Sequence, residues 1–165
     1  MQIPLSKGLF AIVDEADYER VSQFKWCASW SGKGWYALRR IKGTGQPGKK
    51  EKLHQFITRQ KFVDHINGDG LDCRRDNLRP ATIGENSRNR GRQIDNTSGY
   101  KGVTIKRAGT QRRKTDVYVA QIKVNRGIRY LGSFKTAKQA ALAYDQAARE
   151  LHGVFARLNF SAVVA

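Results

Sequence analysis

The sequence predicts an α+β chain: two small modules joined by a basic linker. Three observations carry that reading. Tyr100–Lys106, Val117–Val124 and Ile128–Phe134 are strand-like, and an Ala-rich stripe at helical spacing follows from Ala137 to about His152. Upstream, an apolar strand end at Val63 leads through a Gly-rich acidic loop into a capped helix. Between these blocks, residues 87–99 are polar and nearly free of apolar side chains, too poor in burial to fold alone. The expected modules are residues 1–90 and 99–160, with residues 91–98 as the linker.

Charge narrows the function classes. The 165 residues carry 31 Lys and Arg against 14 Asp and Glu, a formal charge of +17. Both halves are basic, so the natural partner is an extended polyanion. No apolar run approaches the roughly 18 residues of a membrane span, and Met1–Lys7 has no signal-peptide core, so the expected location is the cytoplasm. Cys27 and Cys73 are the only cysteines, which excludes a disulfide framework and a four-cysteine zinc site.

The first sixty residues read as a mixed hairpin segment. Leu9–Val13 is a strand candidate and Glu15–Phe24 a short charged helix. Two aromatic runs, Phe24–Trp30 and Trp35–Arg39, flank a Ser31-Gly32-Lys33-Gly34 turn suited to a hairpin. Residues 42–52 read as an exposed loop. Trp26, Trp30, Trp35 and Tyr36 have two readings, core of a small domain or contacts to DNA beside Lys and Arg, and core is favoured.

The chemistry is concentrated in residues 63–89. Val63-Asp64-His65-Ile66-Asn67-Gly68-Asp69-Gly70 sets a carboxylate and an imidazole side by side at a strand end. Thr82-x-x-Glu85 is a capping box, which places Asn86 on the first full helical turn and Asn89 along the same face. Phosphodiester hydrolysis needs an activated water, charge neutralisation at phosphorus and a stabilised leaving oxygen. An imidazole suits the proton abstraction, and carboxylate and carboxamide oxygens suit a hard divalent ion. Asp69 and Asp72 read as turn formers.

The run from Val63 to Asn89, with Asn77-Leu78-Arg79 between its ends, resembles the HNH nucleases, above all phage and intron-encoded homing endonucleases. The resemblance implies a ββα-metal module with His65 as general base, Asp64 and Asn86 as metal ligands, and Asn77 bracing the hairpin. It implies one Mg²⁺ or Mn²⁺ per active site. Leu53-His54-Gln55-Phe56-Ile57 resembles an upstream His-Arg-aliphatic element, with Gln55 where relatives carry Arg, and Cys73 stands where they commonly carry Asn.

Residues 98–160 resemble the DNA-binding domain of plant APETALA and ethylene-response factors, through Ser98–Val103, Tyr118–Ile122, Tyr130–Phe134, Ala140–Asp145 and Ala156–Phe160. That resemblance implies three antiparallel strands and one helix, the sheet entering the major groove. Strand alternation expects Lys101, Lys106, Gln121 and Lys123 on one face, opposite Tyr118, Ala120 and Ile122. Thr104, Arg126, Arg129 and Tyr130 complete the expected contact set. Asn159 is expected to bond backbone and Phe160 to close the core.

The resulting expectation is a site-specific, metal-dependent DNA endonuclease that nicks one strand per active site. Its expected partner is double-stranded DNA, with no membrane or protein partner implied, as a monomer or transient dimer of phage or mobile-element type in a bacterial host cell. The first rival is a non-catalytic DNA-binding regulator built on the same modules. The second is an RNA-binding protein, disfavoured because the sheet face offers Lys and Gln more than paired aromatics.

Overall fold

The computed structural model describes residues 1–41, 48–109, 115–125 and 127–160. Two compact units result, Met1–Asn86 and Ser87–Ala165, each mixing short antiparallel strands with helices.

In the first unit, β1 (Gln2–Pro4) pairs antiparallel with β2 (Phe10–Ile12). Sequence reasoning found β2 but not its short partner. Helix α1 (Glu15–Ser22) opens with Glu15 and Asp17 in its first turn, which favours the N-terminal end of the helix dipole. The aromatic runs form the expected hairpin, β3 (Cys27–Trp30) with β4 (Trp35–Arg40). The expected loop over residues 42–52 ends differently: Lys50–Lys52 is a third strand, β5, paired to β4. Residues 42–47 of that loop lie outside the described set.

Directly after β5, helix α2 (Leu53–Thr58) buries Leu53, His54, Phe56 and Ile57. Two further short strands, β6 (Val63–His65) and β7 (Leu78–Pro80), then pair antiparallel, and α3 (Ile83–Arg88) follows. The core gathers Ile3, Val13, Val21, Trp26, Leu53, Ile57, Val63 and Leu78. The tryptophans divide between the two readings: Trp26 is 2 % exposed, whereas Trp30 is 57 % exposed.

The loop between β6 and β7 docks on this scaffold through backbone bonds, Ile12 N–H to Leu71 O and Cys73 N–H to Ile12 O, both 2.8 Å. Gly70 makes the approach possible, since a Cβ there would lie 2.5 Å from Trp35 O and 2.6 Å from the Tyr36 ring.

In the second unit, β8 (Val103–Lys106), β9 (Val117–Val124) and β10 (Gly127–Phe134) form a meander with β9 in the middle. Helix α4 (Ala137–His152) is capped by Thr136, whose hydroxyl accepts from Gln139 N–H, and ends at Gly153. Its Ala140, Ala141, Tyr144 and Ala148 pack on Val103, Ala120 and Ile122. The small side chains let the helix lie close to the sheet. At the chain's far end, Asn159 brackets the Lys101 backbone, accepting from its N–H and donating to its carbonyl, while buried Asp145 accepts from the N–H groups of Asn159 and Phe160. The end of the expected linker is also engaged, because Asn96 and Ser98 both donate to the carbonyls of Tyr100 and Val103.

Candidate functional site

Strand β6 holds Asp64 opposite Arg79 and His65 opposite Leu78. Neighbours on a strand leave it in opposite directions, so the carboxylate and imidazole occupy different surroundings. Asp64 is 3 % exposed, and its Oδ2 accepts from Arg79 Nη2 at 2.6 Å and Nε at 2.9 Å. A buried carboxylate requires such compensation.

His65 lies among other rings. Its imidazole meets His54 edge-to-face with centroids 4.7 Å apart, and Tyr36 at 5.8 Å. Its Nε2 stands 3.9 Å from Cys73 Sγ. Burial pushes the imidazole down to about 4, against the opposing pull of Asp64, Asp69 and Asp72. His54 falls further, to about 3, because burial is reinforced by the nearby His65 and Lys52. Both rings are therefore neutral near pH 7, and burial makes His65 a weaker proton acceptor than an ordinary imidazole. Burial also raises the Cys73 thiol to about 12, which keeps it protonated and unreactive.

Helix α3 starts as expected: Thr82 Oγ1 accepts from Glu85 N–H, and Glu85 Oε2 accepts from Thr82 N–H. The box sets the helix start so that Asn86 Nδ2 donates to Val63 O at 3.2 Å. One bond thus ties α3 to the strand that carries Asp64 and His65. Asn77 ties the hairpin instead: its Oδ1 accepts from Asn67 N–H, and its Nδ2 donates to Asp72 O and Asn67 Oδ1. Asp69 makes a local turn through its acceptance from Leu71 N–H, and Asp72 is paired with Arg74 and Asn67.

The donor set near β6 fits a hard divalent ion. Asp64 and Asn86 offer carboxylate and carboxamide oxygens, although a cation competes with Arg79 for the carboxylate. Among the described residues no three His, Cys, Asp or Glu side chains cluster as a metal cage. Few protein ligands, with water and phosphate oxygens completing the sphere, is the habit of Mg²⁺.

Sequence reasoning missed the partners of these groups. Arg79 sat inside the recognised run without a role, and only strand register reveals it beside Asp64. Tyr36 and Cys73 reach His65 from elements distant in sequence. His54 had one local signal, its place in the apolar run Leu53–Ile57.

In the second unit, register sorts the expected DNA contacts by face. Val103, Ala120 and Ile122 point to α4, so Thr104, Lys106, Gln121 and Lys123 point away from it, joined by Tyr130 opposite Gln121. Two residues of the expected set lie off this face. Lys101 precedes β8, its ammonium donates to Arg88 O and lies 5.9 Å over the Tyr144 ring, and burial lowers it to about 8. The turn at Gly102, with φ of 75°, rotates it off the strand pattern. Arg129 pairs with Ile122, so it shares the helix side, where it lines a hollow with Ala143, Gln146 and Glu150. Arg126 lies outside the described residues.

The HNH endonuclease family profile matches residues 57–88. An uncharacterized HNH endonuclease of Acanthamoeba polyphaga mimivirus is 30% identical over 162 residues, 93% of this chain and 76% of the relative. Dehydration-responsive element-binding protein 2A of Arabidopsis thaliana is 50% identical over 54 residues, 32% of this chain and 16% of that protein. An ethylene-responsive transcription factor of the same plant is 46% identical over 54 residues, 32% of this chain and 26% of the factor. The chain thus spans well under a third of these plant relatives. No solved structure matches it. Taken with the near end-to-end mimiviral likeness, these matches show that the chain belongs to the HNH endonuclease family.

Proposed function

We propose that this chain is a divalent-metal-dependent DNA endonuclease that cuts one strand per centre and is targeted by its C-terminal sheet. The observation that carries the reading is the Asn86–Val63 bond, which brings the α3 carboxamide to the strand bearing Asp64 and His65. His65, neutral and walled by His54 and Tyr36, takes the proton from the attacking water. Asp64 and Asn86 would hold the ion, whose chemistry is neutralisation of charge at the phosphate and the leaving oxygen. Asn77 positions the hairpin through its bonds to Asn67 and Asp72. Thr104, Lys106, Gln121, Lys123 and Tyr130 form the groove-reading face, in keeping with the plant DNA-binding relatives. A mobile-element role is in keeping with the mimiviral relative.

The test is relaxation of supercoiled plasmid with Mg²⁺, Mn²⁺ or EDTA. Metal-dependent relaxation is expected, and His65→Ala should abolish it while DNA affinity persists. Failure to relax any target with any of these metals, alongside intact binding, would establish the regulator reading in its place.

A further inference from the structure

The tip of the β3–β4 hairpin is not consumed by the candidate site. Trp30 and Trp35 face each other across the last register pair, edge-to-face, with centroids 5.4 Å apart and planes at 60°. Trp35 is half-buried, whereas Trp30 leaves 57 % of its surface exposed. Trp26, by contrast, is 2 % exposed in the core.

A cation completes the arrangement. The Lys7 ammonium lies 5.6 Å from the Trp35 ring centroid. Lys7 itself adopts the left-handed region, φ 67° and ψ 22°, which costs a non-glycine residue about 1 kcal/mol or more. Its turn is fastened to the hairpin by Ser6 Oγ, which accepts from Ala28 N–H at 3.0 Å. The turn that joins the two tryptophans carries exposed Lys33. In sequence, residues 23–50 hold seven Lys or Arg and no Asp or Glu, and the Glu51 that follows is paired with Arg39.

We propose that the hairpin tip is a second nucleic-acid contact, at which Trp30 stacks on an unpaired base of single-stranded DNA while Lys7 and Lys33 neutralise the adjoining phosphates. An exposed indole accepts any base face, and nearby lysines favour the backbone, the combination used for sequence-tolerant single-strand binding. An acidic or apolar protein partner would not need a flat, rigid ring beside exposed cations. The inference rests on DNA being the substrate but not on the cleavage chemistry. It gives the nuclease a grip on an opened or frayed strand.

The test is binding in EDTA, where no cutting occurs, to three labelled probes: a blunt duplex, the same duplex with a short single-stranded gap, and oligothymidylate. Trp30→Ala should weaken the gapped and single-stranded probes by roughly 5- to 150-fold, the range for one lost base stack, and leave the blunt duplex within about twofold. Trp30→Phe, which keeps a stacking ring, should recover most of the loss. Unchanged binding of all three probes overturns the proposal, and so does an equal loss on all three. A protein that grips the gapped probe through Trp30 yet cuts nothing with Mg²⁺ would refute the endonuclease reading and leave this one intact.

Discussion

At the scale of single residues, the first unit hides its imidazoles and exposes the cost to acid. His65 and His54 are held at about 4 and about 3, against 6.5 in the unfolded chain. Depressed histidines bind protons in the unfolded state first, so stability is full above about pH 6.5 and falls as pH drops toward 4. His65 alone accounts for about 3 kcal/mol over that range. Tyr36 on β4 packs against both rings and Cys73 lies beside His65, while Lys52 on β5 and the carboxylates Asp64, Asp69 and Asp72 act on them through their charge. Urea midpoints measured between pH 7.5 and 4.5 should fall steeply for the wild type and less for His65→Gln; a flat profile would place these rings in water. Asn77 makes a different wager. Its side chain serves three partners at once, so Asn77→Ala should cost about 2–3 kcal/mol, read as a lower thermal midpoint. A change under about 0.5 kcal/mol would mean the hairpin holds its shape without it.

Elements show what the sequence could and could not reveal. Helix α4 was legible to the residue because Thr136, the alanine stripe and Gly153 are all local signals, and β9 was legible from its alternation. The capping box likewise placed α3, and the Val63–Asn86 run placed the candidate site. What stayed hidden depends on pairing across the chain. β1 and β5 are three residues each, too short for any periodicity, and form only because β2 and β4 offer them an edge. Lys101 read as a groove residue because alternation was extended through a left-handed glycine, and the side of the sheet on which Arg129 lies emerges only from the β9–β10 register. The corrected faces give an element-level prediction. Lys123→Ala should lower the salt slope of DNA binding by about 0.9, one phosphate contact, whereas Arg129→Ala on the helix side should leave it nearly unchanged. Equal effects from both would show that the sheet docks by its edge. Gly102→Ala should be among the most damaging changes in the second unit, because its Cβ would stand 1.9 Å from the Tyr144 ring at a φ that disfavours side chains. At least about 3 kcal/mol of destabilisation is expected, visible as early melting of the second unit.

For the molecule as a whole, charge and chemistry are divided unequally. Residues 1–86 carry 15 basic and 10 acidic side chains, a net of +5, while residues 87–165 carry 16 and 4, a net of +12. On the proposed function, most of the non-specific attraction to phosphate therefore belongs to the second unit, and the cleavage chemistry to the first. This separation predicts how cutting responds to salt. Raising salt weakens docking steeply, since each phosphate contact contributes about 0.9 to the slope, but it screens the buried imidazole far less. With plasmid in saturating excess over the dissociation constant, the cleavage rate should hold between low and moderate salt; under dilute conditions it should collapse in parallel with binding. The product pattern follows from the same inventory. Each chain contributes one His65 centre, so limiting enzyme should accumulate nicked circles before any linear plasmid appears. A gel time course settles this: linear product that rises without a nicked intermediate would require two centres acting together on opposite strands, and a dimer would then be the cutting form.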